Sequence, residues 1–431
     1  MATQETYGER VFEVEPYGAE AIPAAERHGK ATSAFTLWSS ANLNILTWFT
    51  GSLGVSLGLS FAWAWKAILL GNLLGAVFLG LAAAMGPATG EPQLISTRRS
   101  FSLAGARLPA LLNWLTLVGW FGVDIVVGVF AVQHLTGLPY LAALLVLATV
   151  TVLAAVFGYN LMHSFARLAT WVLGLVFAAM TVLALRGAPP AAAGSASPGL
   201  FIATASLSFA YLFSFSAVGS DYTRYLPQGT SRRAVAGWSA LGGFLMASWL
   251  EILGAATSSL GTAAHPMTQL ARMMGVFAVP ALLAVAASTI PVNSIALYSG
   301  GLSSLAAGFP LRRWAAALVT GGLGTLLMVW GGGAFATVYR NFLLLLSYWI
   351  APWLGIVLVD FYLRRRRGTA RRAWPALAAF AVGIAASVPF MDSVLYQGYL
   401  ATHYLGGGDI SYLVGMAVGG ALYGWWGRSA D

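Results

Sequence analysis

Twelve apolar stretches run through this chain, and nothing else limits its fold as tightly. They lie near residues 34–58, 66–86, 109–135, 139–159, 163–185 and 199–220, then near 237–258, 275–300, 314–331, 336–362, 374–391 and 410–427. About 20 apolar residues in a helix cross the hydrocarbon core of a bilayer. Within that core each backbone N–H and C=O must find its partner inside the segment, which a helix achieves. The pattern predicts an all-α integral membrane protein with 12 transmembrane helices. Residues 1–33 are left as a cytoplasmic tail, and residues 34–431 form one transmembrane domain with no room for a separate soluble one.

Composition agrees. Of 431 residues 58% are hydrophobic and 9% charged, against about 25% charged in soluble proteins. A net charge of +9 would suggest nucleic acid in a soluble chain. Here the basic residues are scattered among apolar stretches and form no compact basic face, so no nucleic-acid partner is expected. Topology accounts for them. With both termini in the cytoplasm, 19 of the 23 Lys and Arg fall inside, and Lys66, Arg186, Arg272 and Arg340 fall outside. The run Arg364, Arg365, Arg366 and Arg367, with Arg371 and Arg372, reads as an inside anchor for that topology. The six glutamates of residues 1–33, with no apolar core among them, argue against a cleaved signal peptide and for a poorly ordered tail. Zero cysteines exclude a disulfide framework, a thiol nucleophile and a thiolate metal site.

A polar group at membrane depth is costly and usually lines a site. Span one contains Ser39, Ser40, Asn42, Asn44 and Thr47 ahead of Gly51 and Gly54, which permits an unwound turn. Span six contains Ser206, Ser208, Phe209, Ser214 and Ser216. Two interrupted helices at matching positions of two halves point to an inverted-repeat transporter with a midplane site. In span three, Trp120 and Asp124 are one turn apart on one face, a stacking surface beside a carboxylate. That pair suits a planar, nitrogen-rich ring. Span eight has Ser288 and Thr289, hard oxygen donors of the kind alkali cations prefer, followed by Pro291, which is expected to break the helix, and Asn293. Glu251 in span seven is a candidate proton carrier or a structural polar group. No His-Glu-x-x-His and no phosphate-binding Gly-rich loop is present.

The segment Gly86-Pro87-Ala88-Thr89-Gly90-Glu91-Pro92-Gln93, followed by Ser96-Thr97-Arg98-Arg99-Ser100-Phe101, resembles a loop of the nucleobase–cation symporter family. That family includes the cytosine and purine permeases and the hydantoin, allantoin and uracil carriers. Its usual form is Gly-x-Pro-Gln, then Arg-x-Ser-Phe-Gly, from which Glu91 and Ser102 depart. The likeness continues through Gly119-Trp120-Phe121-Gly122, Asp221-Tyr222-Thr223-Arg224-Tyr225, Tyr298-Ser299, Pro352 and Asp360-Phe361-Tyr362, covering roughly residues 34–365.

The resemblance implies a five-plus-five inverted repeat with broken helices 1 and 6: repeat one about 34–185, repeat two about 199–362, and two extra helices about 374–427. It implies that Trp120 stacks on the base and Asp124 bonds to it, with Phe209 covering the other ring face, Ser206 and Ser208 nearby, and Asn293 at the base edge. It assigns a sodium site to Ser288 and Thr289 with the span-one stretch around Asn42. A proton is the alternative coupling ion. Asp124 stands where an amide is common in the family. When ionised it accepts only, which favours cytosine, another aminopyrimidine such as hydroxymethylpyrimidine, or a purine over uracil or hydantoin; when protonated it imitates the amide and can carry the coupling proton. The expected function is cation-coupled import of such a ring by alternating access at the cell membrane. No cofactor beyond the coupling ion and no obligatory protein partner are expected. The competing classes are an allantoin or hydantoin permease of the same family, a passive solute channel and a membrane-embedded enzyme.

Overall fold

The computed structural model describes residues 20–157, 159–186, 194–258, 266–365 and 368–426. No β-strand occurs among the described residues, and each of the twelve apolar stretches contains helix. The first is two helices, α1 (Ser33–Asn42) and α2 (Ile45–Ser56). Next come α3 (Phe61–Ala83) and three short helices, α4 (Gly86–Thr89), α5 (Gln93–Ser96) and α6 (Arg98–Gly105). Then follow α7 (Arg107–Thr136), α8 (Tyr140–Phe157) and α9 (Tyr159–Arg186). Helix α10 (Pro198–Ser214) passes through a 3-10 turn, Phe215–Val218, into α11 (Gly219–Thr223). The rest comprises α12 (Arg232–Thr257), α13 (Pro266–Met274), α14 (Ala278–Ala307), α15 (Arg313–Met328), α16 (Phe335–Leu358), α17 (Trp374–Ser387), α18 (Tyr399–Tyr404) and α19 (Ser411–Trp426). Among the described residues six helical stretches are long and apolar enough to cross a membrane, including Arg107–Thr136, Pro198–Thr223 and Phe335–Arg364. Large apolar side chains such as Leu73, Val146 and Leu175 point outward, as a lipid-facing surface requires.

The break between α1 and α2 is written in Asn44. Leu43 and Asn44 leave helical geometry, and Asn44 Oδ1 accepts the Thr47 N–H at 3.0 Å as an N-cap. Asn44 Nδ2 returns to the Ala41 carbonyl, and the Thr47 hydroxyl to that of Asn42 at 2.6 Å, so the freed groups find partners. Pro291, expected to break span eight, sits inside a continuous α14. A membrane helix tolerates proline when its neighbours take up the freed backbone groups.

Helix α7 lies along α14, α3 is flanked by α10 and α12, and α2 crosses α12. That last crossing brings backbones together: a Cβ on Gly51 would overlap the Glu251 carbonyl, and one on Gly254 the Trp48 carbonyl. Residues 1–19 of the tail lie outside the described residues, and residues 20–33 are more ordered than the composition suggests. Arg27 donates to the Pro87 carbonyl, Ile22 N to Gly90 O, and His28 N to Tyr225 O, docking residues 20–28 against the chain. Of the basic run, Arg366 and Arg367 lie outside the described residues.

Several of the motifs that carry the resemblance gather in one knot. Asp221 accepts the Gln93 N–H at 2.8 Å, Gln93 Oε1 accepts that of Ser220 at 3.0 Å, and the Thr223 hydroxyl donates to Ala83 O at 2.6 Å. Trp353 Nε1 reaches the Thr97 hydroxyl at 3.2 Å, and Arg224 donates to Tyr298 at 3.2 Å.

Candidate functional site

A cavity opens where the two interrupted helices face α7 and α14. Its empty space is about 550 Å³, counting the part open to the outside. Helix α7 contributes Asn113, Thr116, Trp120 and Asp124, one face read every three to four residues. Thus Trp120 and Asp124 meet in one cavity, as their spacing predicts. The break in span one presents Ala41 and Asn44, and span six presents Tyr211, Ser214, Phe215 and Val218.

Trp120 is held by its neighbours. Phe342 meets it edge-on at 5.2 Å, Tyr211 at 5.9 Å and Tyr339 at 6.4 Å, and Gly119 leaves the space that the Phe342 ring takes. Facing it is Phe215, with ring centroids 6.4 Å apart and planes 15° from parallel.

Phe215, not Phe209, stands opposite Trp120. Phe209 is fully buried and stacks on Phe213 at 4.5 Å and Tyr412 at 4.0 Å, away from the cavity. The physical reason is helix rotation: Phe215 follows Tyr211 by four residues and shares its face, whereas Phe209, two residues before Tyr211, lies on the far side of the helix. Ser206 does not line the cavity either: its hydroxyl donates to the carbonyls of Ile202 and Asp409. Ser208 faces Glu251. Asn293 is buried with neither side-chain atom hydrogen-bonded, while Val292, Ile295 and Ala296 of the same helix line the cavity.

The polar lining is mostly fixed. Tyr211 shares hydrogen bonds with Thr47 at 2.6 Å and Asn44 at 3.2 Å, and Trp349 Nε1 donates to Thr116 at 3.1 Å. Asn113 donates to Ser303 at 2.9 Å, but its Oδ1 is buried without a partner. A ligand donor would satisfy that acceptor. Tyr211, Phe215 and Asn113 were missed in the sequence. The serines flanking position 215 were the available signal, since they marked the turn.

The residues assigned to a cation are each tied within their own segment. Ser288 and Thr289 donate to the carbonyls of Val285 and Ala286, leaving oxygen lone pairs free to ligate. Asn42 Nδ2 donates to Trp38 O, and its Oδ1 is buried without a partner. Neutral oxygens of this kind fit a monovalent cation.

Residues 21–415 match the family described as permease for cytosine/purines, uracil, thiamine, allantoin. The chain is 30% identical to the putative purine-cytosine permease YxlA of Bacillus subtilis (strain 168), over 96% of this chain and 95% of that protein. It is 28% identical to the cytosine permease of Escherichia coli (strain K12), over 91% and 92%. In fold it is similar to Mhp1, a nucleobase-cation-symport-1 family transporter solved with bromovinylhydantoin bound. The TM-score is 0.77 at 20% identity, covering 97% of this chain and 96% of that one.

Proposed function

The chain belongs to the permease family for cytosine/purines, uracil, thiamine and allantoin, and we propose that it imports a nucleobase-like ring by cation-coupled symport. One observation carries this reading: Trp120 and Phe215 face each other nearly parallel across a cavity that also presents Asp124. Base–aromatic stacking contributes about 1–3 kcal/mol per base. An ionised Asp124 accepts from adjacent N–H groups, as an aminopyrimidine or purine edge offers, and Asn113 Oδ1 supplies a second acceptor. Cytosine, a related aminopyrimidine or a purine is the preferred cargo.

Ser288, Thr289 and the Asn42 stretch would hold the coupling ion. When bound, sodium supplies charge neutralisation and a tie between the broken span one and α14. The chain spans the cell membrane twelve times with both termini cytoplasmic. Spans one to five and six to ten form inverted repeats, about 34–185 and 199–362, and two helices are added about 374–427. The interruptions at Leu43–Asn44 and Phe215–Val218, five spans apart, support that pairing.

The test is uptake of radiolabelled cytosine by proteoliposomes under an inward sodium gradient or an inward proton gradient. Uphill accumulation is expected, and the gradient that drives it names the ion. Equilibration without accumulation would mean a passive channel. Competition by uracil as strong as that by unlabelled cytosine would defeat the role given to Asp124. Stronger competition by hydroxymethylpyrimidine or allantoin would reassign the cargo within the family.

A further inference from the structure

Glu251 of α12 is fully buried, lies outside the cavity, and has no hydrogen bond to either carboxyl oxygen. An ionised carboxylate in such a place is costly, since an unpaired charge loses its hydration and gains nothing in return. Three helices surround it. From α3, Asn72 faces the carboxyl, is fully buried, and has neither amide atom hydrogen-bonded. From α10, the Ser208 hydroxyl faces it too. From α2, Gly51 presses on the Glu251 backbone. The titratable groups within electrostatic reach are Tyr211 of α10 and Tyr339 of α16. Among the described residues no lysine, arginine or histidine acts on it.

We propose that Glu251 is a reversible proton-binding site, held between Asn72 and Ser208, whose proton is bound and released in the transport cycle. The neighbours suit both states. A protonated carboxyl donates to Asn72 Oδ1, while an ionised one accepts from Asn72 Nδ2 and the Ser208 hydroxyl. An alkali cation would need a full shell of oxygens and space to hold it. The backbones of α2 and α12 touch at Gly51, on the Glu251 backbone, and again at Gly254 one turn on, and a proton needs neither shell nor space.

The position links the proton to the cavity. Tyr211 lines the cavity and is hydrogen-bonded to Thr47 and Asn44 at the break in span one. A charge at Glu251 acts on Tyr211 and so on the wall of the cavity. Movement of α2 across α12 would change the surroundings of Glu251 and with them its hold on the proton.

The consequence for transport rests on the reading of the preceding section, so two readouts are needed. The first needs no cargo: infrared spectra of the purified full chain in detergent, followed through a pH titration. A protonated-carboxyl carbonyl band should fade as pH rises and be missing from Glu251→Gln, with Asp124→Asn identifying the band of the other carboxyl. If every such band survives in Glu251→Gln, the proposal is overturned. Should that variant not fold, Asn72→Leu replaces it. Losing the donor that stabilises the ionised form should move the midpoint toward alkaline pH, and an unmoved midpoint overturns the proposal.

The second readout is cytosine binding as a function of pH. Wild-type affinity should change over the interval in which the Glu251 band titrates, and Glu251→Asp should move both intervals together. Intervals that move apart overturn the coupling. A titrating band in a protein that binds no base would keep the proton site and defeat the cargo assignment instead.

Discussion

Around Trp120 the chain leaves buried polar atoms without partners, whereas around Gln93 it ties loop, helix end and tail together. The cavity holds Asn113 Oδ1 unpaired and is lined by the near-parallel rings of Trp120 and Phe215. The knot closes reciprocal bonds between Gln93 and the Ser220–Asp221 pair, and Trp353 reaches across to Thr97. A site must keep capacity for a ligand, and a scaffold must not. Most motif residues that carried the family resemblance belong to the scaffold. Trp120 is the motif residue that reaches the cavity.

The sharpest way to break this comparison uses two phenylalanines on one segment. Phe209→Ala removes a ring packed against Phe213 and Tyr412, and should cost about 3–5 kcal/mol of stability. Thermal melting in detergent should show the loss, with binding intact in the protein that remains folded. Phe215→Ala should behave in reverse: a small change in melting, and affinity for cytosine weakened by about 1–3 kcal/mol. If Phe209→Ala lowers affinity while Phe215→Ala does not, the cavity has been assigned the wrong wall.

Trp120→Ala comes next. Its ring faces Phe215 and is braced by Phe342, so its loss removes one stacking face, again about 1–3 kcal/mol of affinity. Equilibrium binding of labelled cytosine measures it, and unaltered affinity would take Trp120 out of the site. Asp221→Ala tests the other region. The buried Gln93 N–H would lose its acceptor, which costs about 1–3 kcal/mol. Melting should fall while cytosine affinity stays unchanged. A selective loss of affinity instead would mean that the knot shapes the cavity directly.

What the sequence made legible follows from how strongly physics restricts each feature. Apolar stretches could be read because the bilayer leaves few choices of structure. The break in span one could be read because Asn44 caps a helix start and Thr47 lies at the right distance. The rotation of α10 could not. Its residues are apolar nearly all round, so no polar face tells which side is inward. Tyr211 and Phe215 were therefore passed over for Phe209. Asn293 shows the same limit. The resemblance placed it at the base edge, yet Val292, Ile295 and Ala296 are the residues of that helix that line the cavity.

The smallest expected effect lies at Ser102, where the chain departs from the glycine usual in the resembling family. Its backbone has φ 63° and ψ 174°, a region that is essentially glycine's own and costs other residues on the order of 1–3 kcal/mol. The side chain recovers little, since its hydroxyl accepts one long bond of 3.4 Å from Gly105 N–H. Ser102→Gly should relieve that strain. Glycine also loses more conformational freedom on folding, about 0.5–1 kcal/mol, so a net gain of about 1 kcal/mol is expected. Ser102→Ala keeps the Cβ and should give no gain. Both variants should bind cytosine as the wild type does, because Ser102 lies in the helix that opens on the knot, away from the cavity. A glycine variant that melts no higher than wild type would show that the turn is unstrained. The knot would then be no denser a constraint on the chain than the cavity it supports.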